Sequence, residues 1–565
     1  MTRSDGEQPD GTASGGDIQT FVDVLALRAS DEHDGLLFED SRWSWGEVVD
    51  ECVARAHLLL GTRRPDRPFH VGVLLENVPE YLFVIGAAAL CGATVVGINP
   101  TRRGAELAAD IRHVDTDLII TDCAQDWLLV GLDTGVESDR VHRVDGDRYQ
   151  ATVAGLRGRE WPDVPAAKDP STQLLLLFTS GSTGAPKAVI CSTGRFAGKA
   201  LANRMNLDSE DVAYNAMPLF HGNALMMCWA PCVFSGATFA MRRRFSVSGF
   251  LPDVQRFGVT FFNYVGRSLA YLLSAPESPE EGRTRLRAAF GTEAAPPDRA
   301  EFLRRYGIPI TESYGSSEGP ISIRCTSGTP SGALGLPPAG LDVVVLDADG
   351  RECPRAEFDN HGRFRNAAEA VGELVNRTGA ALFEGYYHNP EAERERVQGD
   401  RFHSGDLGFR DRDGFFYFAG RLGDRLRVDS ENFSAAPVER ILARFPGVSL
   451  VAVYPVPDPR TGDQVMATLV FDDAAAFDPE QFRTFLDAQH DLGTKWAPTL
   501  VRVAIDVPVT ATHKIDKVRL RSEAWATDDP VYIYASESGS YVRLDEDLRT
   551  QLVAEFARHL RPAPP

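Results

Sequence analysis

Residues 174–189 read LLLLFTSGSTGAPKAV: leucines run into glycines, serines and threonines, then a single lysine. Thr179, Ser180, Gly181, Ser182, Thr183 and Gly184 are crowded into one turn after a run that reads as a buried strand. Small residues let main-chain N–H groups approach an oxyanion closely, and successive N–H groups form an anion nest. With Lys187 adding positive charge, the chemistry such a turn performs is the cradling of a polyphosphate. No GK[ST] closes the loop, because Lys187 is followed by Ala188, so it is not a Walker A motif. A flexible Gly/Ser linker is the bland alternative, but linkers rarely sit flush against a buried strand.

Further segments of this kind follow in order. GTEAA (291–295) and ESYGSSEG (312–319) carry small residues, a tyrosine and carboxylates. PLFHG (218–222) carries His221 ahead of an apolar run. FHSGDLG (402–408) places Asp406 in a turn, GRLGDRLRV (420–428) holds Arg421 and Asp424, and PVTATHKIDKVRL (508–520) holds Lys514 and Lys517. Taken singly, most of these read as ordinary turns or solvated charges. Taken together and in this order, they resemble the acyl-adenylate-forming enzymes, which include acyl-CoA synthetases, luciferases and peptide-synthetase adenylation domains. The resemblance runs over roughly residues 20 to 555.

What the resemblance implies can be set against the chemistry. Condensing a carboxylate with ATP brings an anion towards an anionic triphosphate, and two unit charges about 4 Å apart repel by roughly 4 kcal/mol at an effective dielectric of 20. Compensating cations are therefore needed. The resemblance makes Glu318 the ligand of Mg²⁺, a hard donor for a hard ion that keeps several waters. It places Tyr314, with Gly315 and Ser317, against adenine, and Gly291, Thr292 and Glu293 along the base. Asp406 would receive the ribose hydroxyls, with Arg421 nearby. Lys514 would bridge the substrate carboxylate and the α-phosphate, while Lys517 is read as an ordinary surface lysine. Asp424 stands at the family's hinge, about which a C-terminal domain swings between adenylating and thioester-forming poses. His221 would orient or gate the acyl carboxylate, beside a wall containing Met226, Met227 and Trp229 that suits a core equally well. Three positions depart from the family's pattern: Ser317 replaces a threonine, and Ser430 and His513 replace glycines, the last just before Lys514.

The elements that must position these groups are readable in outline. HVGVLLEN (70–77), ATVVGIN (93–99), TDLIITD (116–122) and TQLLLLFTS (172–180) read as strands buried on both faces, separated by helical stretches such as 44–60. That succession predicts an α/β fold with a large N-terminal domain of parallel or mixed sheets covered by helices and a small α+β C-terminal domain, which the resemblance implies is mobile. The expected divisions are a disordered lead-in over 1–18, an ATP- and acyl-binding domain over 19–423, and a C-terminal domain over 424–565. Residues 418–442 read as a polar turn region leading into a helix, 448–456 and 464–471 as strands, and 529–561 as strand, turn and helix. Residues 81–98 are uncharged at the lower edge of membrane-span length, but Gly92 and the β-branched run after it favour a buried helix, a turn and a strand.

Composition narrows the function. At 565 residues the chain exceeds one hydrophobic core, and a net charge of -21 argues against a general nucleic-acid binder. Eight cysteines without a CxxC pair fit a reducing cytoplasm, and Cys228 and Cys232 read as buried hydrophobes. MRRRF (241–245) reads first as a solvated turn, with coenzyme A phosphates or the inner face of a membrane as alternatives; peripheral membrane contact and a homodimer stay open. Residues 423–439 and the tail segment 529–548 resemble very-long-chain acyl-CoA synthetases and fatty-acid transport proteins. The expected partners are therefore a long or bulky lipid-like carboxylate, ATP and coenzyme A. Two other readings are an acyl-AMP ligase that loads a carrier protein and a non-catalytic ATP- and acyl-binding sensor or transport scaffold.

Overall fold

Each of the four apolar runs read as strands forms one in the computed structural model: His70–Leu74, Thr94–Gly97, Leu118–Thr121 and Gln173–Thr179. The structure describes residues 18–179, 187–202, 205–292, 294, 296–326, 328–330, 332–359, 364–421, 425–428, 431–459, 463–471, 477–489, 492–493, 495–510, 514–536, 538–558 and 563–564. Packing divides the chain into two units. One comprises Met1–Glu312 with Phe383–Glu393, the other Ser313–Leu382 with Arg394–Pro565. The functional boundary expected at Asp424 lies outside the described residues and remains a proposal.

In the first unit, one sheet runs in the order Val141–Arg143, Leu118–Thr121, His70–Leu74, Thr94–Gly97, Gln173–Thr179 and Lys187–Ser192. Its strands are parallel except for the last pair, a hairpin whose register sets Thr179 opposite Lys187. The uncharged stretch resolves as expected into helix Pro79–Cys91, Gly92 at φ 68°, and strand Thr94–Gly97. Among the described residues no helix is long and apolar enough to cross a membrane. Helix Trp45–Thr62 starts at a capping box in which Ser44 and Glu47 exchange main-chain bonds, worth about 1 kcal/mol. The Arg55 guanidinium on that helix grips Glu80 through bonds of 2.8 and 2.6 Å, and Tyr149 donates to the same carboxylate. This buried cluster joins three helices.

A second sheet of this unit orders Ala288–Thr292, Phe261–Val265, Val212–Asn215, Thr238–Met241 and Asp34–Phe38 in parallel, with Ser41–Ser44 antiparallel at the edge. Ile310–Gly315 adds to Ala288–Thr292 through residues 310–312. Its core is aromatic, with Tyr214, Phe250, Phe262, Tyr264 and Phe302 buried together.

The second unit carries an antiparallel sheet of Val343–Leu346, Gly372–Asn376, Arg401–Arg410, Val397–Gln398 and Phe416–Arg421. Further along, Val448–Pro457, Asp463–Phe471, Leu500–Ala504, Val531–Ala535 and Ser540–Arg543 form a mixed sheet packed with helices. Strand and helix positions in the tail match expectation. The stretch 418–442 differs: its described residues hold strand Phe416–Arg421 and a two-stranded pair, Arg425–Val428 with Glu431–Ser434, before helix Ala435–Leu442. Leu426 and Phe433 enter the core, and in the sequence each stands between polar neighbours, a strand signal that the polar composition hides.

Candidate active site

Three asparagines pin the segment around His221. The Asn215 amide donates to the Met217 carbonyl at 3.0 Å, and its oxygen accepts from Met217 N–H and from the Asn263 amide. Asn77 donates to the same carbonyl at 3.0 Å and accepts from Leu219 N–H at 3.0 Å. Asn263 reaches on to Asn223 at 3.1 Å. The turn is thus bolted to strands Val212–Asn215 and Phe261–Val265, and His221 sits half-buried on it with its N–H donated to Pro218. The apolar run beyond begins as a π-helix, Ala224–Trp229, and continues as α-helix Ala230–Ser235. Trp229 is fully buried against Trp45 and Phe239, so that part of the expected hydrocarbon wall is core. Cys228 and Cys232 are buried thiols, and among the described residues no cluster of three or more His, Cys, Asp or Glu has metal-holding geometry.

Of the phosphate segment, Thr179 and Lys187 are described; Ser180, Gly181, Ser182, Thr183 and Gly184 lie outside the described residues. Lys187 is 4% exposed, and its ammonium lies 5.6 Å from the centre of the Tyr386 ring. Gly291 and Thr292 end a strand paired with Tyr264 and Val265. A Cβ at Gly291 would stand 2.4 Å from the Tyr264 carbonyl oxygen, so only glycine fits there. Glu293 lies outside the described residues; the next residue, Ala294, donates its N–H to Glu312 at 2.8 Å, and Arg299 closes on the same carboxylate at 2.7 Å.

Within the second unit, two nucleotide-binding expectations meet directly. The Tyr314 hydroxyl donates to Asp406 Oδ2 at 2.6 Å, and Asp406 is the cross-strand partner of Arg421. Burial and the Asp406 carboxylate hold the Tyr314 hydroxyl well above its ordinary range, so it remains a proton donor at neutral pH. Asp406, expected in a turn, lies instead within strand Arg401–Arg410, and its surroundings are set by groups that sequence reading missed. Ser404 Oγ accepts from Asp406 N–H at 3.0 Å, while Glu373 takes Gly405 N–H at 2.7 Å and faces His403 Nδ1 at 2.8 Å. Nothing in GELVN (372–376) marks Glu373 as more than a strand residue; its place opposite Leu407 in the sheet reveals it. Glu318 is buried, Ser317 half-buried and Gly315 exposed.

Lys514 is bonded to Thr510 twice: Thr510 N–H donates to the Lys514 carbonyl at 2.7 Å and Lys514 N–H to Thr510 Oγ1 at 3.2 Å. Asp516 caps helix Lys517–Glu523. Lys517, expected as a plain surface lysine, is instead half-buried and ion-paired with Glu439 at 2.7 Å. Asp424, Ser430 and His513 lie outside the described residues. Each member of the MRRRF triplet has a carboxylate partner: Arg242 with Asp253, Arg243 with Glu39 and Arg244 with Glu76. A cavity of about 470 Å³ bordered by Leu251, Leu272, Arg305 and Tyr306 contains none of the residues assigned from sequence.

A profile of the AMP-binding enzyme family matches residues 23–387, and one of that family's C-terminal domain matches residues 437–514. The chain belongs to the AMP-binding enzyme family. Steroid-22-oyl-CoA synthetase of Rhodococcus jostii is 50% identical over 546 residues, 96% of this chain and 98% of the relative. The medium/long-chain-fatty-acid–CoA ligase FadD17 of Mycobacterium tuberculosis is 43% identical over 91% of this enzyme and 98% of its own length. Among solved structures, ATP-bound MatB of Rhodopseudomonas palustris superposes with a TM-score of 0.77 at 22% identity, over 88% of this enzyme and 98% of that chain. An anthranilate CoA ligase in complex with anthranoyl-AMP gives 0.75 at 22%, over 90% and 97%. At that identity the likeness is one of fold, and it agrees with the α/β architecture of the enzyme.

Proposed function

We propose that this enzyme is an AMP-forming acid–thiol ligase that activates a bulky, lipid-like carboxylic acid, with a steroid side-chain acid as the first candidate substrate. In the first half-reaction the acid's carboxylate attacks the α-phosphorus of ATP; the bond to the bridging oxygen breaks, giving acyl-AMP and pyrophosphate. In the second, the thiol of coenzyme A displaces AMP and leaves a thioester. The observation that carries this reading is the 50% identity to a steroid-22-oyl-CoA synthetase over nearly the whole of both chains. The half-buried Tyr314–Asp406 pair agrees with it, since a carboxylate held in place by a phenol is suited to accept ribose hydroxyls.

In this reading Lys187 neutralises the β- and γ-phosphates, Tyr314, Gly315 and Ser317 line adenine with Gly291, Thr292 and Glu293, and Asp406 with Arg421 holds the ribose. His221 orients the acyl carboxylate, and Lys514 stabilises the charge that builds on the α-phosphate. Glu318, a buried carboxylate in a chain whose described residues hold no three-ligand metal cluster, fits a Mg²⁺ ion that takes its other ligands from phosphate and water. Such an ion, when bound, would offset charge repulsion between the carboxylate and the triphosphate. Asp424 is proposed as the hinge of a C-terminal domain beginning there.

Carboxylate-dependent pyrophosphate release across fatty, aromatic and steroid acids tests the reading, with coenzyme A and an acyl-carrier protein compared as thiol acceptors. Release with a steroid or long-chain acid and transfer to free coenzyme A is expected. Transfer to the carrier protein alone would favour the carrier-loading ligase, and no release with any acid would favour a sensor. Lys514→Ala should slow acyl-AMP formation by about two to three decades, the cost of one preorganised donor, while thioester formation from supplied acyl-AMP persists. Parallel loss of both half-reactions would remove Lys514 from that role.

A further inference from the structure

Residues 383–393 leave the second unit and pack within the first as a strap along strand Lys187–Ser192. Main-chain bonds run from Tyr387 N–H to Ala188 at 2.8 Å and from Ile190 N–H to Gly385 at 3.1 Å, with Tyr386 bridging Val189. The strap is fixed at both ends. The Glu384 carboxylate takes Ser192 N–H at 2.8 Å and Ser192 Oγ at 2.6 Å, and the Tyr387 hydroxyl donates to Asp115 at 2.9 Å. Glu393 closes the strap on itself by accepting Tyr386 N–H at 2.8 Å. Between these anchors, Tyr386 is 2% exposed and presents its ring to the buried Lys187 ammonium at 5.6 Å from its centre.

We infer that Tyr386 is a positioning residue for ATP: its ring face, held by the strap, fixes the Lys187 ammonium where strand Lys187–Ser192 begins, ready for a phosphate. The inference rests on the reading of Lys187 as a phosphate-binding lysine. A quadrupole attracts an ammonium within about 6 Å of the ring centre and gains strength when both are desolvated. The rigid anchoring limits the rotamers open to a flexible four-carbon stem, so less side-chain entropy is lost when the triphosphate arrives.

The test compares Tyr386→Phe, which keeps the ring, with Tyr386→Leu, which removes it, alone and with Lys187→Ala. ATP affinity is read by calorimetry, and the two half-reactions separately. Tyr386→Leu should weaken ATP binding about thirtyfold, the size of a desolvated cation–π contact, and Tyr386→Phe less than about twofold. Tyr386→Leu should cost almost nothing further in the Lys187→Ala background. Thioester formation from supplied acyl-AMP, in which no triphosphate takes part, should be unchanged in both tyrosine variants. Unchanged ATP affinity in Tyr386→Leu, simple additivity with Lys187→Ala, or parallel loss of both half-reactions would overturn the inference. Because affinity needs no acid substrate, a protein that binds ATP but releases no pyrophosphate would sink the ligase reading and leave the role of Tyr386 decided by its own result.

Discussion

Tyr314 donates its hydroxyl to Asp406 at 2.6 Å, and the residue's environment keeps that proton in place at neutral pH. A hydrogen bond to a charged acceptor contributes about 1.5–3 kcal/mol, and here it orients the carboxylate proposed to meet the ribose. Tyr314→Phe should therefore raise the KM for ATP about tenfold, and Tyr314→Leu, which also removes the ring proposed to face adenine, should raise it further. An equal effect of the two variants would mean that the hydroxyl carries the whole role; no effect of either would remove Tyr314 from the nucleotide site. Sequence reading identified both partners but not their bond, because a tyrosine and an aspartate 92 positions apart carry no mark of contact. Glu373 and His403 escaped for a related reason. They meet beside Asp406 on strand Arg401–Arg410, and only strand register brings Glu373 there.

At the scale of elements, two glycines from neighbouring motifs behave differently. Gly291 ends a parallel strand against Tyr264, where an added methyl group would press on a carbonyl oxygen at 2.4 Å. Gly315 has open surroundings: its nearest such neighbour is the Ile321 carbonyl at 3.5 Å, an ordinary contact. Gly291→Ala should thus destabilise the fold by about 2 kcal/mol through overpacking, seen as a fall in Tm, whereas Gly315→Ala should leave Tm unchanged. If Gly315→Ala still weakens ATP binding, the glycine serves close approach of the nucleotide; if it does not, its assignment to the site fails. The strands and helices around these residues were legible because both-face burial and capping leave strong local patterns. The π-helix at Ala224–Trp229 and the pair of strands inside 425–434 were not. The first differs from an α-helix by one residue per hydrogen-bonded turn, which hydrophobic spacing does not resolve over six residues, and the second hides two core residues among charges.

For the whole molecule, acid sensitivity follows from histidines that the fold holds neutral. His70 is buried beneath the first sheet, its Nδ1 bonded to the Val114 carbonyl at 2.7 Å, its Nε2 facing the Gln173 amide at 3.2 Å, and its ring edge-on to Tyr387. Desolvation lowers its proton affinity, opposed by the Val114 bond and by Asp115 and Asp117, and reinforced by His388. His142 is lowered by burial and by Arg140 and Arg148. Because the unfolded imidazoles bind protons that the folded ones resist, stability is full above the ordinary histidine value of about 6.5 and falls as pH drops through it. Asp110, Asp122 and Asp298, raised by burial, act in the opposite sense. Their window opens at the unfolded carboxylate value near 3.9 and closes at their raised folded values. Chemical-denaturation midpoints of the intact chain should therefore decline between about pH 7.5 and pH 5.5. His70→Gln, which keeps a donor but cannot titrate, should flatten that decline even though it lowers stability at neutral pH. A His70→Gln curve parallel to the parent's across this range would show that His70 is not one of the groups taking up protons on unfolding.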